Sequence, residues 1–186
     1  MYKGTQFRSR LEARWACFFD KLGWKWEYEP FDLTGWIPDF ALYSHHGKNK
    51  GKLSVLVEVR PYSTENEWKE KAFEITSMAG DFYKAAGQVA PTILCCGSTI
   101  WQDYDYTYDV IGYMQAFMGD GFWLIPAVLK NDGDVFDFCG GELAAYDGEL
   151  TDIDRDRFSY SICEKDYELM NLWRSSGNEV QWKKQR

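Results

Sequence analysis

The sequence predicts an α/β fold: a leading helix, a mixed central sheet, a crossover helix, and a C-terminal β/α extension. Three observations predict it. Leu11, Trp15, Phe18, Phe19 and Leu22 recur at helical spacing. Leu53 to Val59 is a near-continuous apolar run, as expected of a central strand covered on both faces. A helix-patterned stretch then separates that run from a second apolar run, Thr92 to Cys96, as a crossover between parallel strands requires. Residues 1–130 are expected to form the core and 131–186 an extension packed on it.

In order, Thr5 to Leu22 reads as the first helix, ended by Gly23. Glu12 falls at the border of its buried stripe. One reading makes Glu12 a surface acid paired with Arg8, a pair contributing only tenths of a kcal/mol. The other points its carboxylate toward the sheet. Trp24 to Tyr28 alternates, placing Trp24, Trp26 and Tyr28 on one face, and Pro30 ends that strand. Asp32 to Trp36 is a turn and Ile37 to Tyr43 the next strand, carrying Asp39.

Ser44 to Lys52 is a polar loop with Lys48, Lys50, His45 and His46. Adjacent histidines in a Gly- and Lys-rich loop read as exposed surface, and the basic loop suits contact with a phosphate backbone. Pro61 stops the Leu53–Val59 strand. A helix follows over about Glu65 to Ala86, with Trp68, Ala72, Ile75, Ala79 and Phe82 as its buried stripe. Trp101 to Tyr113 reads as an irregular acidic loop around a short strand or helix start, suited to a lid or a partner surface. Phe122 to Leu129 is a core strand, Asn131 to Asp134 a turn, and Val135 to Phe138 a returning strand. The turn lacks the late acid of a calcium loop and is not read as one. A second short hairpin is expected in 140–156, a helix over Ser161 to Trp173, and a turn at Gly177-Asn178 into a short strand from Glu179 to Lys183.

Composition narrows the function classes. Of the 186 residues, 45% are hydrophobic and 18% aromatic, which excludes a disordered chain. The net charge of −8 and pI near 4.8 argue against a broad basic coat for nucleic acid, while allowing a locally basic cleft. The five cysteines show neither CxxC nor zinc spacing and read as reduced thiols of a cytoplasmic protein. No signal peptide or membrane span is expected. With nine tryptophans most are core, although Trp36 and Trp101 are of a type that stacks on bases.

The chemistry centres on Ile37-Pro38-Asp39-Phe40 and Val55-Leu56-Val57-Glu58-Val59-Arg60. Glu58 and Arg60 are two apart on one strand and share a face. Eighteen residues lie between Asp39 and Glu58, room for a hairpin that sets the two acids side by side. Two carboxylates on neighbouring strands, beside a cation, suit a hard divalent metal next to a phosphate. The structural alternative is a salt bridge capping a strand end.

At these residues the chain resembles the PD-(D/E)XK nuclease superfamily: Pro38-Asp39, then Glu58-Val59-Arg60, with Glu12 matching a helix carboxylate used by some members. The stretches Phe7 to Trp15, Trp26 to Pro30 and Leu172 to Trp182 are similar to small phage and bacterial proteins of that kind. The resemblance implies a restriction-endonuclease-like core and a Mg²⁺- or Mn²⁺-dependent nuclease acting on DNA. It implies metal ligation by Asp39, Glu58, the Val59 carbonyl and Glu12, and nucleic-acid contacts from Arg8, Arg10, Lys48 and Lys50. Pairing into a homodimer fits enzymes that cut two strands. The departure is Arg60, where the family has Lys. Arg stays charged, so it can grip a phosphate but not take a proton. The competing expectation is a nuclease-fold protein without the chemistry, binding a protein partner through the acidic-aromatic segment 103–109 or mimicking DNA.

Overall fold

The computed structural model describes residues 1–33, 35–43, 53–64, 66–68, 70–75, 92–102, 109–118, 121–131, 136–140, 143–146, 149–152 and 167–181. The chain is α/β. Helix α1 (Arg10–Lys21) opens it, followed by β1 (Lys25–Tyr28), β2 (Phe40–Tyr43) and β3 (Leu53–Val59). Residues 66–68 and 70–75 are helical and lie between β3 and β4 (Thr92–Gln102). Strands β5 (Asp109–Met118), β6 (Gly121–Asn131), β7 (Phe136–Gly140), β8 (Leu143–Tyr146) and β9 (Glu149–Asp152) follow, and helix α2 spans Tyr167–Glu179.

The strands form one mixed sheet whose spatial order is the chain order. The β3–β4 pair is parallel, with Glu58 opposite Cys95 and Val59 opposite Cys96. Every other neighbouring pair is antiparallel. Only the parallel pair needs a long connection, and the helical residues sit in it.

Alternation along the inner strands sorts side chains between two layers. On one face Phe40, Leu42, Val55, Val57, Val59, Leu94 and Cys96 pack against Trp15, Phe18, Phe19 and Trp173 of the two terminal helices. On the other, Ala41, Leu56, Ile93 and Cys95 meet Trp36, Ala72 and Ile75. The adjacent thiols Cys95 and Cys96 thus point to opposite layers. They and Cys17 are free and buried.

Helix α1 begins later than expected because Ser9 caps it: its Oγ accepts from Glu12 N at 3.1 Å. Trp15 is fully buried, donates Nε1–H to the Gly97 carbonyl at 2.9 Å, and lies 4.5 Å, centroid to centroid, from Trp173. This contact ties α1 to β4 and to α2 at once.

Several elements depart from the sequence reading. Strand β4 continues to Gln102, and the short strand allowed within the acidic segment is the ten-residue β5, Asp109–Met118. Gly112 interrupts the apolar pattern that would have announced β5. A Cβ there would sit 2.2 Å from the Cys95 carbonyl oxygen, so the close approach of β4 and β5 excludes a side chain. At the C-terminus, Gly177 and Asn178 are helical, and no strand starts at Glu179. Packing on α1 overrides the turn chemistry: Arg14 covers Gly177, while Cys17 and Lys21 hold Glu179. The hairpin expected within 140–156 is β8–β9. The loop holding His45, His46, Lys48 and Lys50, the helix positions Ala79 and Phe82, and residues 103–108 lie outside the described residues. No described helix is long and apolar enough to cross a membrane.

Gly112→Ala is expected to lower stability by about 1–3 kcal/mol, the usual range for overpacking. Urea unfolding at neutral pH checks it; an unchanged midpoint would refute the close β4–β5 approach.

Candidate active site

The register of β2 on β3 pairs Phe40 with Val57, and one further step sets Asp39 across from Glu58. Pro38 precedes Asp39, and β2 begins immediately after it. Both carboxylates have no exposed surface at all. Unpaired, such groups would be costly to bury, so their partners define the site.

Asp39 is held on both oxygens. Oδ2 accepts the Val59 N–H at 2.7 Å, and Oδ1 accepts from Arg8 Nη2 at 2.6 Å. Arg8 in turn reaches Glu29 Oε1 through Nε at 2.8 Å. Glu29 sits in the left-handed region, φ 46°, at the end of β1, and its N–H donates to the Asp39 carbonyl at 2.9 Å. A non-glycine residue in that region is strained, and here the strain places an acid behind Arg8.

Glu58 points into the Trp36 layer. Its Oε2 accepts the Trp36 indole N–H at 2.9 Å. Its Oε1 is in ionic contact with Arg60 Nη2 but takes part in no hydrogen bond among the described residues. Arg60 leaves the strand end with its own N–H donating to the Cys96 carbonyl at 2.8 Å. A void of about 10 Å³ adjoins Glu58 and Arg60, lined also by Tyr62, Trp68, Lys71 and Ile75. That is room for about one water.

Glu12 is buried, not a surface acid, and its carboxylate does not pair with the Arg8 guanidinium. Its Oε2 accepts from Tyr28 Oη at 2.6 Å and from the Arg8 backbone N–H at 3.1 Å. Ser9 Oγ caps α1 at the Glu12 N–H, while the Glu12 carboxylate holds the N–H of Arg8, one residue before that cap. Glu12 comes from the α1 layer, whereas Glu58 faces the opposite one. The sequence reading brings three carboxylates around one cation. The structure brings Asp39 and Glu58 together at the sheet and sets Glu12 behind them. Among the described residues no three His, Cys, Asp or Glu side chains gather as a metal-holding group.

Electrostatics show the coupling. Burial raises the pKa of Asp39. The Val59 N–H bond pulls it down, Glu12 pushes it up, and Arg60 and Arg8 pull it down. Burial, then the charge of Asp39, pushes Glu58 up to about 7 against the Trp36 bond and the two arginines. Burial and Glu12 raise Tyr28 to about 12.

Arg8 is placed on Asp39 and Glu29, and Arg10 lies in a cleft between α1 and α2. Trp36 is buried against Glu58 rather than presented for base stacking. The residues that sequence reasoning missed are Glu29, Trp36 as a donor, Tyr28 and Lys71. Only Tyr28 carried a signal, since its strand face points toward the helix holding Glu12. Comparison with protein-family models, with curated proteins and with solved structures finds no match to this chain.

Folding raises the Glu58 pKa from its ordinary 4.5 to about 7, so the folded chain binds more protons than the unfolded one between those values. Stability contributed by neutral Glu58 is therefore present below pH 4.5 and lost as pH rises to 7. The loss is expected to be on the order of 3 kcal/mol. Thermal unfolding across this window should show a fall in melting temperature in the wild type and a shallower one in Glu58→Gln. Equal slopes in both proteins would remove the assignment.

Proposed function

We propose that the protein is a metal-dependent phosphodiesterase with a restriction-endonuclease-like core and DNA as its substrate. The observation that carries this reading is the pair of fully buried carboxylates, Asp39 and Glu58, across adjacent strands at the C-terminal end of β3, with arginines on both. Ligand sites on open sheets gather at the carboxyl ends of strands. The element order supports the core: a helix, three antiparallel strands, a connection with helical residues, and a fourth strand parallel to the third.

The donor set fits a hard divalent cation. Asp39 and Glu58 offer carboxylate oxygens, the charge of Asp39 raises the pKa of Glu58, and Glu58 Oε1 is held by the Arg60 ion pair alone. A cation between them requires Arg60 to swing off Glu58, because its guanidinium occupies Oε1 and the void beside Glu58 is not lined by Asp39. Mg²⁺ or Mn²⁺ held there would supply Lewis acidity toward a phosphodiester. Arg60, about two-fifths exposed, then meets a non-bridging phosphate oxygen and balances developing charge. Arg60 cannot serve as a base. Lys71 lines the same void and brings a second cation to it. Arg8 fixes the Asp39 carboxylate from outside. Glu12 acts through its charge on Asp39 and its hold on Tyr28.

One observation favours a second reading. Arg8 and Arg60 already pair with both acids, offsetting their charge without metal. A nuclease-fold protein that binds a protein partner, or imitates DNA with its acidic surface, would have this property.

Supercoiled plasmid with Mg²⁺ or Mn²⁺ discriminates the two. The enzyme reading expects metal-dependent nicking, abolished in Glu58→Ala and raised in Arg60→Lys. It also expects Mg²⁺ to raise the wild-type melting temperature but not that of Glu58→Ala. Intact plasmid with every metal, and no metal effect on melting, would leave the binding reading standing.

A further inference from the structure

Helices α1 and α2 enclose a cleft of about 480 Å³ on the molecule's edge, lined by Arg10, Arg14, Arg174, Gly177, Asn178 and Gln181. Three arginines line it, and among the described residues no acidic side chain does. Among the described residues none of the three forms an ion pair with a carboxylate. In a chain of net charge −8 such a concentration of unmatched cations runs against the overall balance.

The cleft is built, not incidental. Arg14 lies over the Trp173 ring, 3.8 Å from its centroid, and donates Nε–H and Nη2–H to the Trp173 carbonyl at 3.2 and 3.0 Å. Aromatic stacking and two bonds fix one face of its guanidinium. Gly177 leaves room for that guanidinium, since a Cβ there would stand 3.0 Å from Arg14 Nε. Arg10 and Arg174 are exposed and reach in from the two helices. Asn178 and Gln181 add amide groups able to bond a phosphate oxygen. Arg10 follows by two residues Arg8, which touches Asp39.

We propose that this cleft binds the phosphodiester backbone of a nucleic acid. Guanidinium groups at a groove wall match phosphate oxygens, and the aromatic-backed Arg14 sets the register. The assignment rests on the phosphodiesterase reading for its choice of nucleic acid. It gives the substrate a holding site separate from the acids that would cut it.

The test is binding of a fluorescent duplex and a single-stranded oligonucleotide by anisotropy in EDTA, where no cleavage intervenes. The variants are Arg10→Gln/Arg174→Gln and the charge-keeping Arg10→Lys/Arg174→Lys. Both altered side chains are exposed, and circular dichroism verifies folding. Removing two phosphate contacts lowers the logarithmic salt slope by about 1.8. Between 50 and 200 mM salt, the wild type should therefore lose about twelvefold more affinity than the Gln variant. The Lys variant should keep the wild-type slope. Equal affinity and slope in wild type and the Gln variant, or no oligonucleotide binding by the wild type, overturns the proposal. So does stabilisation by inorganic phosphate without oligonucleotide binding, which would reassign the cleft to a small anion. Plasmid nicking lost in Glu58→Ala but unaffected by the Gln variant, with no EDTA binding, would sink the cleft and spare the enzyme. Binding with the expected slope and no nicking would do the reverse.

Discussion

The structure depends on keeping Asp39 and Glu58 buried side by side. Burial makes both carboxylates resist ionisation, and the charge of Asp39 adds to that resistance at Glu58. The surrounding architecture offsets that penalty. Arg8 comes from the approach to α1, Arg60 from the end of β3, the Val59 N–H from the strand itself, and the Trp36 indole from the opposite layer. They come from three separate stretches of chain, so the site exists only when all of them are in place. Glu29 is held in a left-handed conformation at the end of β1, beside the same arginine.

The two terminal helices support this arrangement from one side. Trp15 and Trp173 pack ring against ring between them, and Trp15 is bonded to Gly97 of β4, next to Cys96, where Arg60 is anchored. Helix α1 presents its aromatic stripe to the sheet and its arginines to α2. Its first turn, capped by Ser9 and bonded through Glu12 to the Arg8 N–H, fixes where Arg8 enters. One helix thus carries core packing, a positioning cap and a cationic cleft on three faces, as the 3.6-residue period allows.

Much of this was legible in the chain. Strand β3 showed as an unbroken apolar run because both its faces are covered. The parallel partner β4 followed from the helix-patterned stretch before Thr92. Asp39 opposite Glu58 followed from spacing and alternation. Other features were not legible. Gly112 hid β5, because a residue chosen for close backbone contact looks like a break in the pattern. Gly177-Asn178 reads as a helix stop, yet α2 continues because Arg14 and Lys21 of α1 engage its last turn. The partners of the buried acids, Glu29 and Trp36, are distant in sequence and lie in segments whose local pattern says nothing about them.

The sequence by itself determined the α/β class, the antiparallel approach to β3, the parallel pair that follows, and the two acids at one strand end. Periodicity and chain connectivity are local properties, so they survive in the order of residues. Only tertiary structure decided which cations neutralise those acids, that Glu12 holds Tyr28 and the Arg8 backbone, and that three arginines face one cleft. These are distances between remote side chains, set by how the helices pack on the sheet, and a linear pattern does not carry them.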